Sequence, residues 1–97
     1  MKIMTLAQVR ERIRLIDEDI VALIARRTEM AKDVIEAKKK EGVSVNVENQ
    51  NEVVLSRVAD MATELGIDAG SVKRVYEILI RMSIERQHEL CGEGNLP

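Results

Sequence analysis

TLAQVRERIRLIDEDIVALIARRTEMAKDVIEAKKKEG, residues 5–42, runs for 37 residues before its first glycine and contains no proline. Within it Val9, Ile13, Ile16, Ile20, Leu23, Arg27, Met30, Val34 and Ala37 follow one another at alternating steps of four and three. That spacing is a heptad seam, a stripe along one face of a helix. The stretch therefore predicts one helix over about 5–41, a rod of roughly 55 Å at ~1.5 Å per residue. Thr5 and Gln8 stand at capping-box spacing, so each side chain can satisfy the other's backbone N–H. Gly42 ends the helix, because glycine enters the left-handed conformation of a helix cap without a Cβ penalty.

Beyond Gly42, Val43 to Asn46 reads as a short extended link. A second helix is predicted over about 48–65, with Val47, Asn51, Val54, Val58, Met61 and Leu65 on its seam. Gly66-Ile67 has the pattern of a Schellman ending, in which an apolar residue folds back on the last turn. Asp68 or Ser71 caps a third helix over about 69–90, whose inner face holds Val72, Val75, Tyr76, Leu79, Ile80, Ser83, Gln87 and Leu90. Residues 92–97 read as a frayed tail. The expected fold is all-α, one domain over 1–97, with one long helix and two shorter ones. The shorter helices span only about 27 and 31 Å. Even end to end they leave one side of the long seam bare, and monomers rarely expose such an aliphatic stripe. Two long helices pairing about a two-fold axis would bury it, so an intertwined homodimeric bundle is expected.

Composition narrows the function. Apolar residues make up 45% and the chain has one Tyr and no Phe or Trp, so the core must be aliphatic, as suits packed helices. A net charge of -2 argues against nucleic acid. No apolar run reads as a membrane span or signal peptide. The single cysteine, Cys91, cannot form an internal disulfide, which fits a reducing cytoplasm. One His and one Cys are too few for a metal cluster, and no cofactor is expected.

Four seam positions are polar: Arg27, Asn51, Ser83 and Gln87. A charge in a packed seam costs several kcal/mol unless paired, roughly 3–5 when its partner is missing. No acidic residue shares the seam with Arg27, so the pattern asks for an anion from outside. Arg27 and Lys38 are eleven residues apart, hence within ~20° of each other around the helix and ~16 Å apart along it. Ser83 and Gln87, at i and i+4, form a polar ledge on one face. Blander roles stand beside these. A seam Asn often only fixes register, Ser83 can be a small residue at a close approach, Lys38 opens the run Lys38-Lys39-Lys40, and one of Arg26 and Arg27 must face outward.

The run Val9-Arg10-Glu11-Arg12-Ile13-Arg14-Leu15-Ile16-Asp17, followed by Leu23-Ile24-Ala25-Arg26-Arg27, resembles the opening of the all-helical chorismate mutases. The likeness extends from Leu6 to Leu90 without a gap, and rests most on Arg10, Asp17, Arg27, Lys38, Ser83 and Gln87 at their mutual spacings. It implies an intertwined three-helix dimer that rearranges chorismate to prephenate, a step of aromatic amino-acid biosynthesis. It implies that Arg27 binds a substrate carboxylate and that Arg10 crosses into the partner's site. It also implies that Lys38 and Gln87 hydrogen-bond the ether oxygen of the breaking bond, and that Ser83 lies beside a carboxylate. Val47, Gln50 and Asn51 stand where the family carries Asp, Arg and Glu, and Asn51 can still hydrogen-bond a hydroxyl.

A unimolecular pericyclic reaction needs no nucleophile, base or metal. It needs a dianion folded into a reactive conformer and donors at the oxygen that gains charge. Two other readings remain open from the residues: an isochorismate-pyruvate lyase on the same fold, and a non-catalytic helical dimerisation or regulatory module.

Overall fold

The computed structural model describes residues 3–44 and 48–92, with the side chain of Glu48 excepted. The expected link residues Val45 and Asn46, the site candidate Val47 and the tail from Glu93 onward lie outside the described residues. Four helical segments follow in order: α1 Leu6–Glu29, α2 Ala31–Glu41, α3 Glu48–Glu64 and α4 Ala69–Leu90. No strand occurs among the described residues. None of the helices is long and apolar enough to cross a membrane, among the described residues.

The long helix expected over 5–41 is divided at Met30. The division is local: Met30 stays right-handed (φ -61°, ψ -14°), its N–H donates to the Arg26 carbonyl at 3.2 Å, and its own carbonyl accepts from Val34 N–H at 2.9 Å. Just upstream, the Thr28 hydroxyl donates back to the Ile24 carbonyl at 2.9 Å. Such back-bonding competes with the backbone ladder and bends helices. α1 and α2 are thus one rod with a joint, and the chain measures 58 × 27 × 22 Å.

The ends follow from local chemistry. Both bonds of the Thr5–Gln8 capping box form, at 2.9 and 3.1 Å. Gly42 closes α2 in the left-handed conformation (φ 72°), with Val43 N–H reaching the Lys38 carbonyl at 2.9 Å. Gly66 (φ 73°) does the same after α3, and Ile67 N–H reaches Ala62 at 3.0 Å. Asp68, rather than Ser71, caps α4 by accepting from the Ser71 backbone at 2.8 Å.

α4 is the hub, packing on α3, α2 and α1. The small core is Val54 and Val58 of α3 against Ile80 of α4, flanked by Leu55, Val72, Tyr76 and Ile84. On α3 the buried line runs Val54, Val58, Ala62, while the expected seam residues Met61 and Leu65 are exposed. Val54, Val58 and Ala62 share one face at steps of four, and that face, rather than the heptad line through Met61, is the one packed. Ala31 and Ile35 of α2 are buried, whereas α1 buries no residue. Its seam residues Ile13, Ile16, Ile20 and Leu23 remain about half exposed.

Candidate active site

The site is built where the end of α1 and all of α2 lie along α4. Arg27 is in the last turn of α1 and Lys38 in the last turn of α2. Ser83 and Gln87 are one turn apart on α4, and Gln50 and Asn51 sit in the first turn of α3. All six line one cavity of about 370 Å³. Its apolar wall is Val34, Val43, Val54, Ile80 and Ile84. No carboxylate is among the described residues lining it.

The polar groups are tied to one another. Lys38 Nζ donates to Gln87 Oε1 at 2.9 Å, and Gln87 Nε2 donates to Ser83 Oγ at 3.1 Å. Gln87 is only 4% exposed, so its amide is fixed with the oxygen toward the lysine and the nitrogen toward the serine. An amide nitrogen carries two hydrogens, and the Ser83 bond uses one. Arg27 Nη1 donates to the Leu79 carbonyl at 3.1 Å, and its Cζ stands 5.6 Å from the centre of the Tyr76 ring. Partial burial lowers the Lys38 pKa from the usual lysine value, because desolvation disfavours the ammonium.

The structure thus brings Arg27, Lys38, Gln50, Asn51, Ser83 and Gln87 together. Arg10 is exposed on α1 and does not line the cavity. Seventeen residues before Arg27, it is roughly 25 Å up the rod. Arg26 is exposed and Arg27 half-buried, which decides which of the pair faces inward. Tyr76 and the Leu79 carbonyl were not among the candidates read from sequence. The signal for Tyr76 was faint: it lies seven residues before Ser83, hence on the same face of α4.

Two fixed cations beside a buried amide and a hydroxyl, within apolar walls, suit a small anion that must be folded and held. Comparison with known proteins agrees. Residues 9–88 match the model of the family described as chorismate mutase type II. The chain belongs to that family.

Among curated relatives, it is 33% identical to the chorismate mutase of Methanocaldococcus jannaschii over 88 residues, 91% of this chain and 89% of the relative. It is 23% identical to the bifunctional chorismate mutase/prephenate dehydratase of Buchnera aphidicola (subspecies Schizaphis graminum) over 91 residues, 90% of this chain and 24% of that protein. The cavity therefore sits inside the segment that defines the type II chorismate mutases, since every described residue lining it falls between positions 9 and 88.

Proposed function

We propose that this chain is a chorismate mutase, an isomerase that converts chorismate to prephenate by a Claisen rearrangement within the shikimate pathway. The observation that carries the reading is the Lys38–Gln87–Ser83 hydrogen-bonded line sharing one cavity with Arg27. Arg27 binds one substrate carboxylate, and the planar guanidinium favours this by its paired donors. Ser83 lies beside the carboxylate region, and Asn51, with Gln50 beside it in the first turn of α3, takes the hydroxyl side of the ring. Lys38 and the second N–H of Gln87 donate to the ether oxygen. Negative charge grows there as the carbon–oxygen bond breaks, so these donors stabilise the transition state more than the substrate. No proton is transferred, and the apolar wall keeps water from competing for the same donors.

A homodimer completes the site. The chain exposes 7818 Å², against about 5,600 Å² for a folded monomer of its mass. Its radius of gyration is 17.5 Å, against about 12.5 Å for a globular chain of this length. Both excesses support a second copy pairing along α1, whose apolar seam residues Ile13, Ile16, Ile20 and Leu23 stay about half exposed. Arg10, exposed on that helix, is then available to the partner's cavity as the second carboxylate anchor. A reducing, cytoplasmic setting agrees with the unpaired Cys91.

The deciding experiment incubates purified protein with chorismate and, separately, with isochorismate. Loss of chorismate absorbance with appearance of prephenate supports the mutase. Pyruvate release from isochorismate alone would replace it with a lyase, a reading favoured by Gln50 and Asn51 in a cavity wall without a described carboxylate. Inertness toward both would leave a binding module.

A further inference from the structure

We infer that Tyr76 is the positioning residue for Arg27, a role that rests on the functional reading above. The chain has one aromatic side chain in 97 residues, and it lies against a cation of the site. Arg27 Cζ is 5.6 Å from the ring centre, within the ~6 Å at which a guanidinium is attracted to the ring's negative face. Tyr76 also packs on the core of Val54, Val58 and Ile80, so the ring is anchored to α3 and α4 independently of the arginine.

Tyr76 does not line the catalytic cavity. It lines a neighbouring groove of about 250 Å³, and Arg27 is the residue the two spaces share. Tyr76 therefore acts through Arg27, from behind it. An arginine side chain has several rotatable bonds, and ordering it for a carboxylate costs entropy at the moment of binding. The ring and the Leu79 carbonyl, accepting at 3.1 Å, meet that cost in the free protein. The carbonyl takes one of the five guanidinium N–H groups, and the ring needs none, so the paired donors stay turned to the cavity.

The test compares Tyr76→Phe, which keeps the ring face, with Tyr76→Leu, which keeps only apolar bulk. Tyr76→Phe should hold KM for chorismate within about twofold. Tyr76→Leu should raise it roughly three- to tenfold with a smaller change in kcat, the range of a partly exposed cation–π contact. A purely structural role would lower activity and melting temperature together in Tyr76→Leu without that split. The second readout needs no turnover. Because Tyr76 is the only near-ultraviolet aromatic absorber, its band in the free protein should shift on Arg27→Ala. An unchanged band, or equal KM values for the Phe and Leu variants, overturns the inference. A wild-type chain inert toward chorismate whose tyrosine band still moves would sink the mutase reading while supporting the placement of Arg27 by Tyr76.

Discussion

Lys38→Ala is the most direct probe of the chemistry. Lys38 Nζ lies 2.9 Å from Gln87 Oε1, and both side chains line the cavity. Truncation removes the ammonium from the oxygen that gains charge in the transition state. Loss of one such preorganised donor typically costs about 3–4 kcal/mol, or 10²–10³ in kcat. Binding should change less, because the ground-state ether oxygen carries little charge and Arg27 still holds a carboxylate. The fold should lose little: a charge-assisted hydrogen bond at a half-buried site is worth about 1 kcal/mol after solvent screening, and cavity water can serve the orphaned amide oxygen. The assay follows chorismate absorbance under saturating substrate, with thermal denaturation in parallel and Lys39→Ala, an exposed neighbour, as the control. The expected result is kcat down by about two to three decades, KM within severalfold, and a melting temperature near that of the control. A kcat within threefold of wild type would refute the role assigned to Lys38. A hundredfold rise in KM at unchanged kcat would recast it as a carboxylate anchor.

Three further outcomes are expected. The mutase rate should be level from mildly acid to mildly basic pH, then fall as pH rises through the Lys38 pKa. Burial lowers that pKa, so the fall comes earlier than for a free lysine; stability moves the other way on this account, since deprotonation relieves the desolvation cost. A bound dianion favours the ammonium, so the limb in kcat should lie at higher pH than the limb in kcat/KM, and coincident limbs would exclude Lys38 as the group titrating. Ile16→Asp, at a position 56% exposed in the single chain, should convert a dimer to monomers in sedimentation and abolish activity; were the monomer the working form, such a surface change would shift stability by only about 0.5 kcal/mol. Gly66→Ala meets no atom within 4 Å but must hold φ +73°, so it should cost about 1 kcal/mol and lower the melting temperature by roughly 4–8 °C with kcat unchanged at 25 °C.

What the sequence made legible is what helical phase carries. The steps of four and three through 9–37 point to the rod, and the eleven-residue separation of Arg27 and Lys38 puts both on one side of it, where the structure finds them lining one cavity. The caps were readable too, because Thr5, Gly42, Gly66 and Asp68 act on backbone groups within a few residues of themselves. Departures begin where the outcome depends on a second element. Ala62 displaces Met61 from the core because α4, and not the heptad count, decides which face of α3 is covered. The joint at Met30 depends on a threonine hydroxyl turning back on Ile24, one of several bonds that hydroxyl could make. The Arg27–Tyr76 contact joins residues 49 positions apart on helices whose crossing no one-dimensional pattern specifies.

The division of labour along the rod explains why a cation can sit in its seam at all. α2 buries Ala31 and Ile35 against its own chain, while α1 buries nothing. Arg27 stands in the last turn before that change, where its guanidinium reaches the Leu79 carbonyl of α4. Further up α1, among the aliphatic seam residues from Ile13 to Leu23, a guanidinium would meet only apolar side chains once a second copy covered that stripe, and desolvation would cost several kcal/mol with nothing to offset it. Further down, at the Ala31 or Ile35 positions, it would displace packed core. At position 27 the charge has a carbonyl on one side, a ring behind it and an open cavity in front. Moving the arginine up by one heptad, as in Arg27→Leu combined with Ile20→Arg, should therefore abolish substrate binding without restoring it at the new position. Measurable chorismate turnover in that shifted variant would show that the seam tolerates the cation generally and that its present surroundings are incidental.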